Sequence, residues 1–193
     1  MRIHIFRHGS TAWSVSGQHT GLTDIDLTEA GKQEARKLGE SLKGQKFDHV
    51  LSSPLKRAKE TCALAGLSAE MQLEDALLEW DYGDYEGKTS EEIAKTDPDW
   101  TIFTKDPPHG ETSLEIQKRV DFLIQRLKRL GGEIALFSSG HISRSIAARW
   151  LGLPVSFGMH FYLSTSSKSI LGYDHNQPII LLWNDTSHLN RSE

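Results

Sequence analysis

The chain has a single cysteine, Cys62, in 193 residues, so no internal disulfide can form. Stability must come from a packed core, and a chain of this size buries about 70% of the surface its unfolded form exposes. A lone thiol also fits a reducing compartment, and a cytoplasmic location is expected. Cys62 lies at helical spacing with Leu55, Ala58 and Ala65, the pattern of an inert buried thiol. Long apolar runs are missing as well. None approaches the 18 or so residues of a membrane span. The start, Met1-Arg2-Ile3-His4-Ile5-Phe6, is too short an apolar run for a secretory signal. Positive charge is not in excess: 22 Lys and Arg against 26 Asp and Glu give a formal charge of −4. Neither nucleic acid nor membrane is therefore expected as a partner, and any anionic ligand must be drawn by a local cluster. His4, His19, His49, His109, His160, His175 and His188 show no metal-ligand spacing, and no close carboxylate group accompanies them. No metal or other cofactor is expected.

Three strand-to-helix units organise what is present. Strand 2–6 leads through a polar loop to a helix at about 28–43, whose Ala35, Leu38 and Leu42 share one face. Thr28 is its expected N-cap and Gly44 its stop. Val50-Leu51-Ser52 runs into Ser53-Pro54, an expected N-cap and first helical residue, for a helix to about Leu64. Ile134-Ala135-Leu136-Phe137 has the continuous apolar character of a strand covered on both faces. It passes through Ser138-Ser139-Gly140-His141 into a helix around 143–151. Residues 79–112 differ in texture, rich in Trp, Tyr, Gly, Asp and Pro, and read as too polar for core and as a cap over a site. Thr89 with Glu92, and Thr112 with Glu115, have capping-box spacing for a short helix from about 90 and a long one over about 113–130. Strands at about 168–174 and 179–184 follow, with turn residues Asn176-Gln177-Pro178 between them. The alternation predicts an α/β fold of three α/β/α layers, with a central mostly parallel sheet and an edge hairpin. Residues 1–193 are expected to form one domain carrying the cap segment.

Chemistry-bearing residues fall at the carboxyl ends of these strands. Arg7-His8-Gly9 closes the first, Arg57 lies one turn into the second helix, and Ser139 and His141 close the third. Parallel strands bring such ends to one crevice, with helix N-termini facing it. Guanidiniums, helix N–H groups and an imidazole around one hole describe a phosphate site.

Several longer segments sharpen this. Arg7-His8-Gly9-Ser10-Thr11-Ala12-Trp13, the loop Ser16-Gly17-Gln18-His19-Thr20-Gly21 with Asp24, and Leu27-Thr28-Glu29-Ala30-Gly31 come first. Ser52-Ser53-Pro54-Leu55-Lys56-Arg57-Ala58 with Thr61, then Leu78-Glu79 with Tyr82-Gly83-Asp84-Tyr85-Glu86-Gly87, follow in order. Together they resemble the histidine phosphatase superfamily, in the branch that includes cofactor-dependent phosphoglycerate mutase, over nearly the whole length. The loop at 17–21, the run 79–87 and Ala147-Ala148-Arg149-Trp150-Leu151 are similar to the small phosphatases near the sedoheptulose-bisphosphatase-like enzymes.

The resemblance implies a phosphoglycerate mutase-like fold and a phosphomonoester hydrolase acting through a phosphohistidine at His8. Arg7 and Arg57 would neutralise the phosphoryl oxygens. Glu79 would protonate the leaving alkoxide and then activate water; Glu86, just before Gly87, reads as structural. Thr11, Ser14, Thr20, Gly21 and Tyr82 are candidate substrate or phosphate contacts. One position departs from the pattern. The family's second catalytic histidine stands immediately before the glycine after the third strand, where this chain has Ser139, with His141 two residues later. Either Ser139 binds phosphate less strongly and slows the enzyme, or His141 takes over. The expected partner is a small phosphorylated metabolite such as a sugar phosphate. Mutase-type transfer, or a weakened phosphate binder, is the alternative. Oligomeric state is left open.

Overall fold

A computed structural model describes residues 1–190. Its centre is a six-stranded sheet. β1 (Arg2–Arg7), β2 (His49–Ser52), β3 (Met71–Leu73), β4 (Glu133–Ser138), β5 (Lys168–Asp174) and β6 (Gln177–Asp185) stand in the order β3-β2-β4-β1-β5-β6. β3, β2, β4 and β1 are mutually parallel, while β5 runs antiparallel to β1 and β6 to β5. The hairpin turns at His175 and Asn176, so Pro178 falls within β6. That strand lies at the sheet's edge, where a missing N–H is tolerated.

Alternation of side chains along the strands builds the two faces. Ile3, Ile5, Leu51, Ile134 and Leu136 pack against α5 (Ser113–Leu130) and α6 (Gly140–Trp150). Phe6, Val50, Ala135 and Phe137 pack against α2 (Glu29–Ser41) and α3 (Lys56–Leu64). The short helices α1 (Ala12–Ser16) and α4 (Ser90–Ala94) lie in the connections. Three α/β/α layers result, as the alternation predicts. Among the described residues no helix is long and apolar enough to cross a membrane.

Some expectations shift. α3 starts at Lys56 with Leu55 at its N-cap, not at Pro54 after Ser53. Asp24 supplies the missing cap from outside, accepting from the Lys56 N–H at 2.7 Å. α6 starts three residues before the expected 143. The segment 79–112 is not too polar for the interior. Trp80, Tyr82, Ile93, Trp100, Ile102 and Phe103 join the same core as the strands, because their large apolar bodies bury although their neighbours are polar.

The parallel register sets the carboxyl ends side by side. Arg7 pairs with Ser138 and Ser52 with Phe137, and the His8 N–H donates to the Ser138 carbonyl at 2.9 Å. After β1 the chain turns under α2. Both the Thr28 N–H and hydroxyl donate to the Ser10 carbonyl, at 2.9 and 3.1 Å, while Glu34 accepts from Ser10. The approach is possible only without side chains: a Cβ on Gly31 would lie 2.1 Å from the Ser10 carbonyl oxygen, and one on Gly9 2.4 Å from that of Gly31. Gly31→Ala is therefore expected to lower stability by about 1–3 kcal/mol through overpacking. Urea unfolding measures this. A midpoint unchanged from the native protein would contradict so close a contact.

Candidate active site

Where β1 and β4 end, a small cavity of about 90 Å³ opens. Arg7, His8, Glu79, Tyr82, His141 and Arg144 line it, with Ser14, Gln18, His19, Thr20, Gly140 and Leu163 completing the wall. Of the residues singled out in the sequence, Arg7, His8, Ser14, Thr20, Glu79, Tyr82 and His141 thus come together. Thr11, Gly21, Arg57 and Ser139 are not part of this wall.

The structure gives those four other surroundings. The Thr11 side chain accepts from Ser14 N–H and caps α1. The Gly21 N–H donates to the Glu86 carboxylate at 2.8 Å, and Glu86 also accepts from Thr23 N–H, so Glu86 braces the loop. Arg57 is fully buried, and its charge acts on His8 ahead of that of Arg7. Its donors reach the carbonyls of Thr20, Gly21 and Thr23 at 2.8–3.1 Å, and its Nε–H donates to the Ser139 hydroxyl at 3.3 Å. Arg57 therefore holds the 20–23 loop in place, with little donor capacity left.

His8 is 4% exposed. Its Nδ1 lies 2.8 Å from the Gly9 carbonyl. A carbonyl can only accept, so Nδ1 carries the proton and Nε2 keeps its lone pair in the neutral ring. Burial, then Arg57 and Arg7, hold the His8 pKa well below the ordinary value of 6.5. Arg7 donates through Nη1 to the Leu163 carbonyl at 2.6 Å, and its Nε is buried without a partner. The guanidinium packs against Gly140, where a Cβ would come within 3.3 Å of Nε.

His141 has the opposite proton placement. Its Nδ1 is hydrogen-bonded to the Tyr82 hydroxyl, which has no other hydrogen-bond partner among the described residues. Burial raises the Tyr82 pKa well above 10, so the hydroxyl keeps its proton and donates it to Nδ1. The neutral His141 ring then carries its hydrogen on Nε2. Burial first, then Arg144, His19 and Arg7, keep its pKa well below 6.5. Burial also pushes His19 down to about 4.

Glu79 occupies the N-terminus of α6. Its carboxylate accepts from the N–H groups of His141 and Ile142, both at 2.8 Å, and from Trp80 N–H at 3.0 Å. The helix end expected to face a phosphate is thus filled by the protein's own anion. Glu79 also borders an open groove of about 450 Å³, where Asp81, Glu111 and Glu115 make a poor setting for an anion. Arg144, Gln18 and His19 were not singled out in the sequence. Arg144 had a usable signal, since it follows His141 by three residues and shares its helix face.

Residues 3–186 match the model of the histidine phosphatase superfamily (branch 1). The chain is 37% identical over 191 residues to an acid phosphatase of Mycobacterium tuberculosis, covering 97% of this chain and 94% of that protein. It is 35% identical over 186 residues to the sedoheptulose 1,7-bisphosphatase of Saccharomyces cerevisiae, covering 80% and 69% respectively. Among solved structures, that of an open reading frame of Mycobacterium tuberculosis superposes with a TM-score of 0.90 at 35% identity, over 95% of this chain and 96% of that one. Phosphoserine phosphatase of Entamoeba histolytica in complex with 3-phosphoglyceric acid gives 0.86 at 27% identity, over 97% and 98%.

The buried imidazoles make stability depend on pH. An unfolded histidine takes up its proton near pH 6.5, whereas folded His8 and His141 stay neutral well below it. The unfolded state then binds more protons, so stability is full above 6.5 and falls as pH drops through the window beneath it. Each imidazole contributes up to about 1.4 kcal/mol per pH unit. Urea unfolding between pH 7 and 5.5 should show this slope, and His8→Ala should reduce it. An identical slope in the variant would contradict a neutral His8.

Proposed function

The chain belongs to the histidine phosphatase superfamily, and on that premise we propose that it hydrolyses small phosphomonoesters through a phosphohistidine on His8. The supporting observation is the His8 ring itself. It is neutral, it is oriented by Gly9, and its free Nε2 belongs to a cavity walled by Arg7. A nucleophile must attack with a lone pair, and this ring has one available.

The Nε2 lone pair attacks phosphorus in line as the ester P–O bond breaks. A proton that the phosphomonoester brings in as its monoanion passes by way of Glu79, on the cavity wall, to the leaving oxygen. The Gly9 carbonyl steadies the positive charge that develops on the phosphorylated ring. Water then attacks phosphorus, Glu79 takes its proton, and the N–P bond breaks with its electron pair returning to Nε2. Arg7 and the Nε2–H of His141 meet the charge on the transferring oxygens. His141 thereby stands in for the histidine that Ser139 replaces, while the Ser139 hydroxyl accepts from Arg57. Tyr82 positions His141, Ser14 and Thr20 offer hydroxyls to the ligand, and Arg57, Thr11 and Gly21 hold the surrounding loop. A cytoplasmic setting belongs to the same reading, and the one thiol, Cys62, is buried.

Rapid quench with a labelled phosphomonoester should trap acid-labile, base-stable phosphate on the protein, and His8→Ala should abolish it. An adduct that persists in His8→Ala would overturn the assignment. The two views of the third strand's end also separate by mutation. His141→Ala should lower kcat about 10²–10³-fold, as for loss of one preorganised donor, while Ser139→His should change it little. A rise of one to three orders of magnitude in Ser139→His, with His141→Ala active, would mean that the chain is a weakened enzyme instead.

A further inference from the structure

Glu34 stands on α2 one turn after Gly31, whose missing side chain lets the helix press on Ser10. It has no task in the phosphoryl transfer just described. Other acids of α2 and α3 meet lysines: Glu29 and Glu60 reach Lys32 and Glu40 reaches Lys43, whereas Glu34 pairs with no cation among the described residues. Its carboxylate faces neutral donors instead. Oε2 accepts from the Ser10 N–H at 2.9 Å and from the Ser166 hydroxyl at 3.3 Å, and Oε1 accepts from the Ser10 hydroxyl at 2.8 Å.

The Ser10 N–H and the Gly9 carbonyl are the two ends of one peptide group. A trans peptide holds them on opposite sides. The Gly9 carbonyl is the group that orients His8, accepting from Nδ1 at 2.8 Å. Glu34 and the His8 ring are therefore joined in one row of carboxylate, N–H, C=O and ring N–H. Resonance couples the two ends of the peptide, so an anion on its N–H moves electron density to its oxygen and strengthens that oxygen as an acceptor. The backbone along the row is held on both sides. Thr28 donates twice to the Ser10 carbonyl, the Thr61 hydroxyl accepts from the Gly9 N–H at 3.0 Å, and the Ser166 N–H donates to the His8 carbonyl at 3.1 Å. The charge of Glu34 is also felt in the cavity: burial lowers the Arg7 pKa, and Glu34 is among the groups that oppose this.

We propose that Glu34 is a positioning residue that acts on His8 through the Gly9–Ser10 peptide, making the Gly9 carbonyl a stronger acceptor as the ring becomes positive on phosphorylation. The inference rests on the phosphatase reading and deepens it. A carboxylate placed directly on Nδ1 would favour a second proton on the ring, at the Nε2 that must attack. One peptide group away, the charge leaves the resting ring neutral and counts most once phosphorylation makes it positive.

Glu34→Gln separates charge from contact. The amide oxygen can still accept from the Ser10 N–H, and the NH₂ can donate to the Ser10 hydroxyl. In the free protein, the proton on His8 Nδ1 should move upfield in NMR, as a weakened hydrogen bond requires, while the ring signals of His141 stay in place. In rapid quench with a labelled ester, transfer to His8 should slow by about 2- to 10-fold, the difference between charged and neutral hydrogen bonds. Breakdown of the phosphohistidine should not slow, because that step discharges the ring. An unmoved His8 proton, His141 signals that move as far as those of His8, or equal slowing of both steps would overturn the proposal. If Glu34→Gln fails to fold, Glu34→Asp, which draws the charge back from the Ser10 N–H, decides by the same readouts. If native His8 takes up no phosphate, the phosphatase reading fails separately, and the His8 ring proton alone then tests Glu34.

Discussion

The carboxylate of Glu79 on the N-terminus of α6 is the contact around which the site is built. A helix start leaves N–H groups without internal partners, and here an anion from a distant segment takes two of them. That fastens the chain after β3 onto the element that follows β4. Arg119 secures the same segment from α5, donating to the carbonyls of Ala76 and Leu78 while pairing with Glu111. The Trp80 indole N–H donates to the Glu111 carbonyl. Once residues 76–80 are fixed, Tyr82 can reach His141. The helix end is also used up, so guanidinium and imidazole side chains must bind the substrate's charge.

That arrangement explains why two imidazoles can share a cavity with arginines. Charged rings would repel Arg7, Arg57 and Arg144 and would lose hydration without recompense. Both therefore stay neutral, and their neighbours decide where the single hydrogen sits. An acceptor on Nδ1 leaves His8 a lone pair at Nε2, whereas a donor on Nδ1 leaves His141 a hydrogen there. Two identical side chains become a nucleophile and a hydrogen-bond donor through one bond each.

Much of the fold was legible in the sequence because burial on both faces writes strands as unbroken apolar runs, as in Ile134–Phe137. Capping chemistry marked the starts of α2, α4 and α5. Two elements left no such trace. β3 is three residues at the sheet edge with no buried side chain, and α1 buries none and is capped by Thr11 with Ser14 rather than an acid. Arg7, His8, Glu79 and His141 were legible as candidates through their places at strand ends and within longer motifs. The engagement of Arg57 with the 20–23 loop was not, because it depends on the carbonyls of a loop whose path no periodicity encodes. Arg144 was missed because a helical arginine normally marks a solvated face, and only the tertiary fold places Phe103 beneath it.

The central claim is the opposite proton placement on His8 and His141. Nitrogen-15 NMR of the ring nitrogens in protein labelled at histidine, assigned with His8→Ala and His141→Ala, measures it directly. The account predicts two neutral rings at pH 6, with His8 protonated at Nδ1 and His141 at Nε2. An imidazolium at either position at that pH, or the same tautomer at both, would contradict it.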